Sequence, residues 1–170
     1  MSHRKLFVVT VSYLLGISAQ LAVAEPVKID ALVTERSNSR IEFADGSKRY
    51  VALIQREGQA RSPGLLGGAK VVEFGMHDIT PGVSSDTIFY HAFTMTNGDH
   101  AYIKSTFRGV TVQGPDGKPK NILNGLWEVV SSSGGLKGLK GTGVVHIKPV
   151  SKDEREFSFE GDASLPATTK

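Results

Sequence analysis

Apolar and polar residues alternate with a period of two along most of this chain, and that period belongs to half-buried β-strands. The clearest case is residues 87–96, where Phe89, His91, Phe93 and Met95 fall on one face and Ile88, Tyr90, Ala92 and Thr94 on the other. A turn signal, Asn97-Gly98-Asp99, follows, and residues 101–107 resume the alternation, which predicts a hairpin. An earlier hairpin is expected from residues 40–44 and 49–55 around Asp45-Gly46. Residues 70–79 read as a long strand and residues 121–131 as another, with turn-rich connections at 57–70, 80–86 and 113–119. Three short apolar runs then close the chain, at residues 126–130, 143–147 and 156–160.

Glycine-rich sequence separates the first two of those runs. Gly134, Gly135, Gly138, Gly141 and Gly143 are too dense for a helix, in which each would cost about 1 kcal/mol relative to alanine. Turns, bulges and close backbone approach in a curved sheet suit them better. A phosphate-binding loop needs a helix after the glycines, and the β-branched Val144, Val145 and Ile147 stand there instead. The pattern predicts eight or nine strands and no amphipathic helix after residue 24. By itself it leaves sandwich and barrel both open.

The first 24 residues read differently. A basic start at Arg4-Lys5, an apolar centre over residues 6–15 and the ending Ala22-Val23-Ala24 describe a signal peptide cleaved before Glu25. The apolar centre is short of the roughly 20 residues that span a bilayer. Residues 25–39 are expected to form an extended N-terminal arm or a first strand, residues 40–166 the barrel domain, and residues 167–170 a frayed tail. The expected location is the periplasm or the cell exterior, with no membrane insertion after cleavage.

Charge changes once that segment is removed. The full chain has 20 Lys and Arg against 17 Asp and Glu; without Arg4 and Lys5 the balance is 18 against 17. So small a surplus gives no reason to expect nucleic acid as a partner. The chain has no cysteine, which rules out disulfides and thiolate chemistry.

Candidate chemistry rests on polar residues inside apolar strands. Glu73, Glu128, His91 and Lys104 are the candidates for acid–base work, because an ionisable side chain facing a barrel interior would have a shifted pKa. Alternation places every second residue in solvent, so the plain reading of these four is a wet outer face. Glu73 and His77 share a strand face and could join His91 at a metal, although their spacing matches no standard ligand pattern, and neither metal nor cofactor is expected. Phe74, Met76, Phe89, Phe93, Met95, Phe107 and Trp127, with Phe157 and Phe159, would line a ligand-holding lumen or fill it as a solid core.

The run Gly125-Leu126-Trp127-Glu128, the stretch from Gly134 to Gly143, and the closing Phe159-Glu160-Gly161 and Leu165-Pro166 resemble small exported bacterial proteins of unassigned function. That group in turn is similar to the allene oxide cyclase and dirigent-type barrels. The resemblance implies an all-β, eight-stranded antiparallel barrel of calycin-like form, often a homo-oligomer. It does not carry an activity across, because the pocket residues of those barrels have no matched positions here. The expected function is the binding of a small hydrophobic molecule in the lumen. Two alternatives stand beside it: a cyclase or isomerase using a lumen carboxylate such as Glu73 or Glu128, and a filled barrel that only presents its outer face. A desolvated carboxylate in an aromatic cavity would favour the enzyme, and an all-apolar cavity the binder.

Overall fold

A computed structural model describes residues 23–166; the proposed signal segment, apart from its last two residues, and the tail at 167–170 lie outside the described residues. Eight strands make one closed antiparallel barrel in chain order. They are β1 (Glu25–Glu42), β2 (Tyr50–Ala60), β3 (Lys70–Thr80), β4 (Ser84–Thr94), β5 (His100–Gln113), β6 (Pro119–Ser132), β7 (Lys140–Pro149) and β8 (Glu154–Ser164). β1 pairs with both β2 and β8, so no sheet edge is left unpaired.

The N-terminal segment is a full member of this barrel. Ile29, Ala31 and Val33 point inward and are buried, and the boundary expected at residue 40 falls inside β1. β2 likewise runs on through residues 57–60, which the sequence suggested as loop. Gly58 makes this possible: it sits between Val33 and Val71, where a Cβ would lie 1.8 Å from the Leu32 carbonyl oxygen.

The barrel is stopped at one end and open at the other. At the stopped end, Leu66 from the β2–β3 loop and Leu136 and Leu139 from the β6–β7 connection turn inward and are buried. The glycine-rich stretch therefore serves as an end plug, with a single 3₁₀ turn at Gly134–Leu136. Above the plug stand Trp127, Phe93 and Phe159, and then Phe89 and Phe157, all buried. Trp127 Nε1 donates to the Glu160 carbonyl at 3.1 Å, so the indole is fixed as well as packed.

β3 faces the opposite way from the one its apolar residues suggest. Phe74 is 54% exposed and Met76 49% exposed on the outside, while Val71, Glu73 and Gly75 point inward and are buried. The neighbouring strands force this phase. Gly75 lies opposite Phe89, and Glu73 lies between Arg56 of β2 and His91 of β4. A shift by one residue would drive a Phe or Met side chain into Phe89, since even a Cβ at Gly75 would come within 2.5 Å of the Phe89 Cβ.

Candidate functional site

Register across the first four strands builds a charged row on the inner wall. His91 lies opposite Glu73, Glu73 opposite Arg56, and Arg56 opposite Glu35. In an antiparallel pair, directly opposed residues share a face, so four polar side chains from β4, β3, β2 and β1 enter the interior at one level. Arg56 Nη1 donates to Glu73 Oε1 at 2.6 Å, and its Nη2 lies 3.7 Å from Glu35 Oε2. His77 adds a further contact, with Nε2 at 3.7 Å from Glu73 Oε1 and Nδ1 at 3.2 Å from the Thr87 hydroxyl.

Burial sets the protonation states. Desolvation alone would raise the Glu73 carboxyl, but His77 and the charge of Arg56 outweigh it and hold it below the usual range. Glu73 is therefore a buried carboxylate at neutral pH. His91 goes the other way: burial pushes its imidazole down to about 4 against the pull of Glu73, with Arg56 adding to the depression. The ring is neutral and boxed by aromatics, 4.7 Å from Phe157, 5.0 Å from Phe89 and 5.1 Å from Phe159.

Several atoms here lack partners. Arg56 Nε, Glu73 Oε2, His77 Nε2, both ring nitrogens of His91 and Ser105 Oγ are buried with no hydrogen bond. Native interiors rarely leave so many polar atoms unsatisfied together, and water or a ligand group is the usual remedy.

Above this row the open end forms a cavity of about 490 Å³. Its walls mix apolar side chains, from Ile54, Ile79, Phe107, Leu123 and Ile147, with polar ones such as Asn38, Ser85, Thr111 and Asn121, and Phe89 and Phe157 also line it. Arg56 and His77 reach it from the charged row, and Glu35 and Arg155 stand along its side. Glu73 and His91, farther along the same row, do not line it.

The sequence candidates thus divide. Glu73 and His91 are interior neighbours, but Lys104 and Glu128 face outward and form a loose pair at 3.9 Å on the surface. Phe89, Phe93 and Trp127 are buried inside, and Met95 and Phe107 pack partly buried against that core. Phe74 and Met76 are not lumen residues, for the reason given by the phase of β3. No three ligating side chains among the described residues are arranged to hold a metal ion; His77 reaches Glu73 at 3.7 Å, and His91 lies opposite Glu73 on the next strand.

Sequence reasoning passed over Arg56 and Arg155. Each shares the inward phase of its strand, Arg56 with Ala52 and Ile54, and Arg155 with Phe157 and Phe159. That shared parity was the available signal.

No family model matches the chain, and no curated protein matches it. Solved structures do. A protein of unknown function from Clostridium acetobutylicum matches with a TM-score of 0.55 at 12% identity, over 82% of this chain and 98% of that one. A conserved protein of unknown function from Rhodopseudomonas palustris gives 0.51 at 10%, over 84% and 99%. The pterocarpan synthase dirigent protein GePTS1 gives 0.50 at 10%, over 94% and 98%. The fold is a dirigent-like barrel. At such identities the likeness concerns the backbone, and the dirigent-like barrel here carries its own set of interior residues.

Proposed function

We propose that this dirigent-like barrel binds a small, largely hydrophobic molecule in the cavity at its open end, after export to the periplasm or the exterior. The carrying observation is the cavity itself: about 490 Å³, with an apolar strip from Ile54, Ile79, Leu123 and Ile147 among polar wall residues, and with Arg56 and His77 each keeping a buried nitrogen unpartnered. Concave sites that hold small molecules combine apolar lining with convergent polar groups in this way. The aromatic layers below leave the lower barrel filled, which confines a ligand to the mouth. The pattern of residues 1–24 supports export.

Native mass spectrometry of the mature protein, purified gently from exporting cells, tests this. A stoichiometric added mass that disappears when the cavity wall is blocked by Ile147→Trp is the expected result. A clean apo mass, together with no binding of apolar probes by the mature protein, would sink the reading.

A second reading is favoured by Glu73 alone. An ionised carboxylate with one free oxygen, inside an aromatic barrel, has the character of a general base, which suits a cyclase or isomerase. Against it stands the position of Glu73, which does not line the cavity. Turnover of a bound molecule that is lost in Glu73→Gln, with binding retained, would favour the enzyme over the binder.

We also infer self-association through the outer face. Leu53, Met76, Ile88, Thr106, Leu126 and Val144 occupy one row across six neighbouring strands. Five of the six are large, exposed and apolar. At about 4.8 Å between strands the row follows about 24 Å of the barrel's circumference, and its middle members on β3 to β6 form the face that a second copy would meet. The adjoining row carries Phe74, Tyr90, Lys104 and Glu128, and having both charges on one patch suits a second copy of the same patch. The opposite face, with Lys28–Glu160 and Lys148–Glu156 pairs, is charged and suits solvent.

A further inference from the structure

We propose that the molecule held at the open end carries a carboxylate, seated between the guanidinium groups of Arg56 and Arg155. This rests on the ligand-binding reading and names the chemical class of the ligand.

Arg155 enters the cavity from β8, in phase with Phe157 and Phe159, and lies opposite Val33 of β1. Its Nη1 donates to three carbonyls of the β7–β8 turn: Ser151 at 2.9 Å, Lys152 at 3.2 Å and Glu154 at 2.8 Å. Those bonds hold the side chain in place but supply no counter-charge. Among the described residues Arg155 forms no ion pair, unlike Arg56, which has Glu73 at 2.6 Å and Glu35 at 3.7 Å. Arg56 itself is 5% exposed and still has its Nε without a partner.

Both guanidiniums line the same cavity. The Arg155 pKa lies below the usual arginine value, first through burial and next through the charge of Arg56, with Glu35, Glu73 and Asp153 offsetting part of this. A single negative charge placed between them would relieve that repulsion and accept from the unpartnered Arg56 Nε. Planar, monovalent carboxylate fits the arginine fork. A phosphate dianion fits poorly, because Glu35 and Asp153 line the same cavity and would repel a second charge. The apolar remainder would lie along Ile54, Ile79, Leu123 and Ile147, toward the mouth.

Paired probes separate this inference from the reading beneath it. Decanoate and decanol share a chain and differ at the head, and their binding to the mature protein can be measured by calorimetry at pH 7. Decanoate is expected to bind about tenfold or more tightly than decanol, the difference of one charge-assisted contact. Arg155→Gln should erase that preference by weakening decanoate about tenfold more than decanol, with circular dichroism unchanged; Arg155→Lys should restore part of it. Equal binding of the two probes to the wild type, or a preference that survives Arg155→Gln, overturns the carboxylate inference and leaves the binding reading in place. Should Arg155→Gln not fold, the wild-type pair and Arg155→Lys still decide. Binding of neither probe, nor of any other apolar probe, removes the binding reading and this inference together.

Discussion

Glu73 and Arg56 are worth more as a pair than either is alone. Both are almost fully buried, and removing Glu73 leaves Arg56 with only the longer 3.7 Å contact to Glu35. Glu73→Ala should therefore lower stability by about 3–5 kcal/mol in urea titrations, whereas the joint replacement Arg56→Met with Glu73→Leu should recover much of that loss. His91 gives a pH signature of the opposite kind. Its folded pKa of about 4 lies below the ordinary 6.5, so the unfolded chain binds a proton first as pH falls. The stability held by the neutral ring is complete above pH 6.5 and drains away down to pH 4, by roughly 3 kcal/mol. Thermal melts across that window should show the decline in the wild type and a flatter profile in His91→Leu. Glu73, whose pKa is depressed, contributes its own loss only below the ordinary carboxylate range.

Strand phase is where sequence and structure part. β4 was legible because Phe89, His91 and Phe93 share one parity, against Ile88, Tyr90, Ala92 and Thr94 on the other. β3 was not, because Val72, Phe74 and Met76 outweigh Val71, Glu73 and Gly75 in any local count. Only the opposed Arg56, His91 and Phe89, contributed by other strands, make the second set the inner one. The charged row was hidden for the same reason: its members lie on four strands and are adjacent only through register. Local reading could find Glu73 and His91 but not what they touch. At the β7–β8 crossing the glycines were legible as architecture, and their role is now specific. Gly143 and Gly161 oppose each other, and a Cβ on Gly143 would lie 2.0 Å from the Glu160 carbonyl oxygen. Gly143→Val should cost about 3 kcal/mol or more, or prevent folding, as read by urea denaturation. On the outer face, Leu126→Asp combined with Met76→Asp should convert an assembly of copies to monomers in sedimentation velocity, with the barrel's circular dichroism unchanged. A wild-type chain that sediments as a monomer at tens of micromolar would remove the self-association inference.

The molecule as a whole was legible as an all-β barrel, through strand number, glycine punctuation and the resemblance of residues 74–166 to small exported bacterial proteins that are similar in turn to dirigent-type barrels. Which end is closed was not, because Leu66, Leu136 and Leu139 come from three positions that meet only when the β2–β3 and β6–β7 connections fold over the same rim. With that rim stopped by side chains and Trp127 set above it, the barrel has one doorway. Whatever enters must leave by the same path, so two guests cannot pass each other inside. Exchange of one for another would then proceed at the departure rate of the first, however abundant the second, and the protein would act as a vessel with a residence time, not as a conduit.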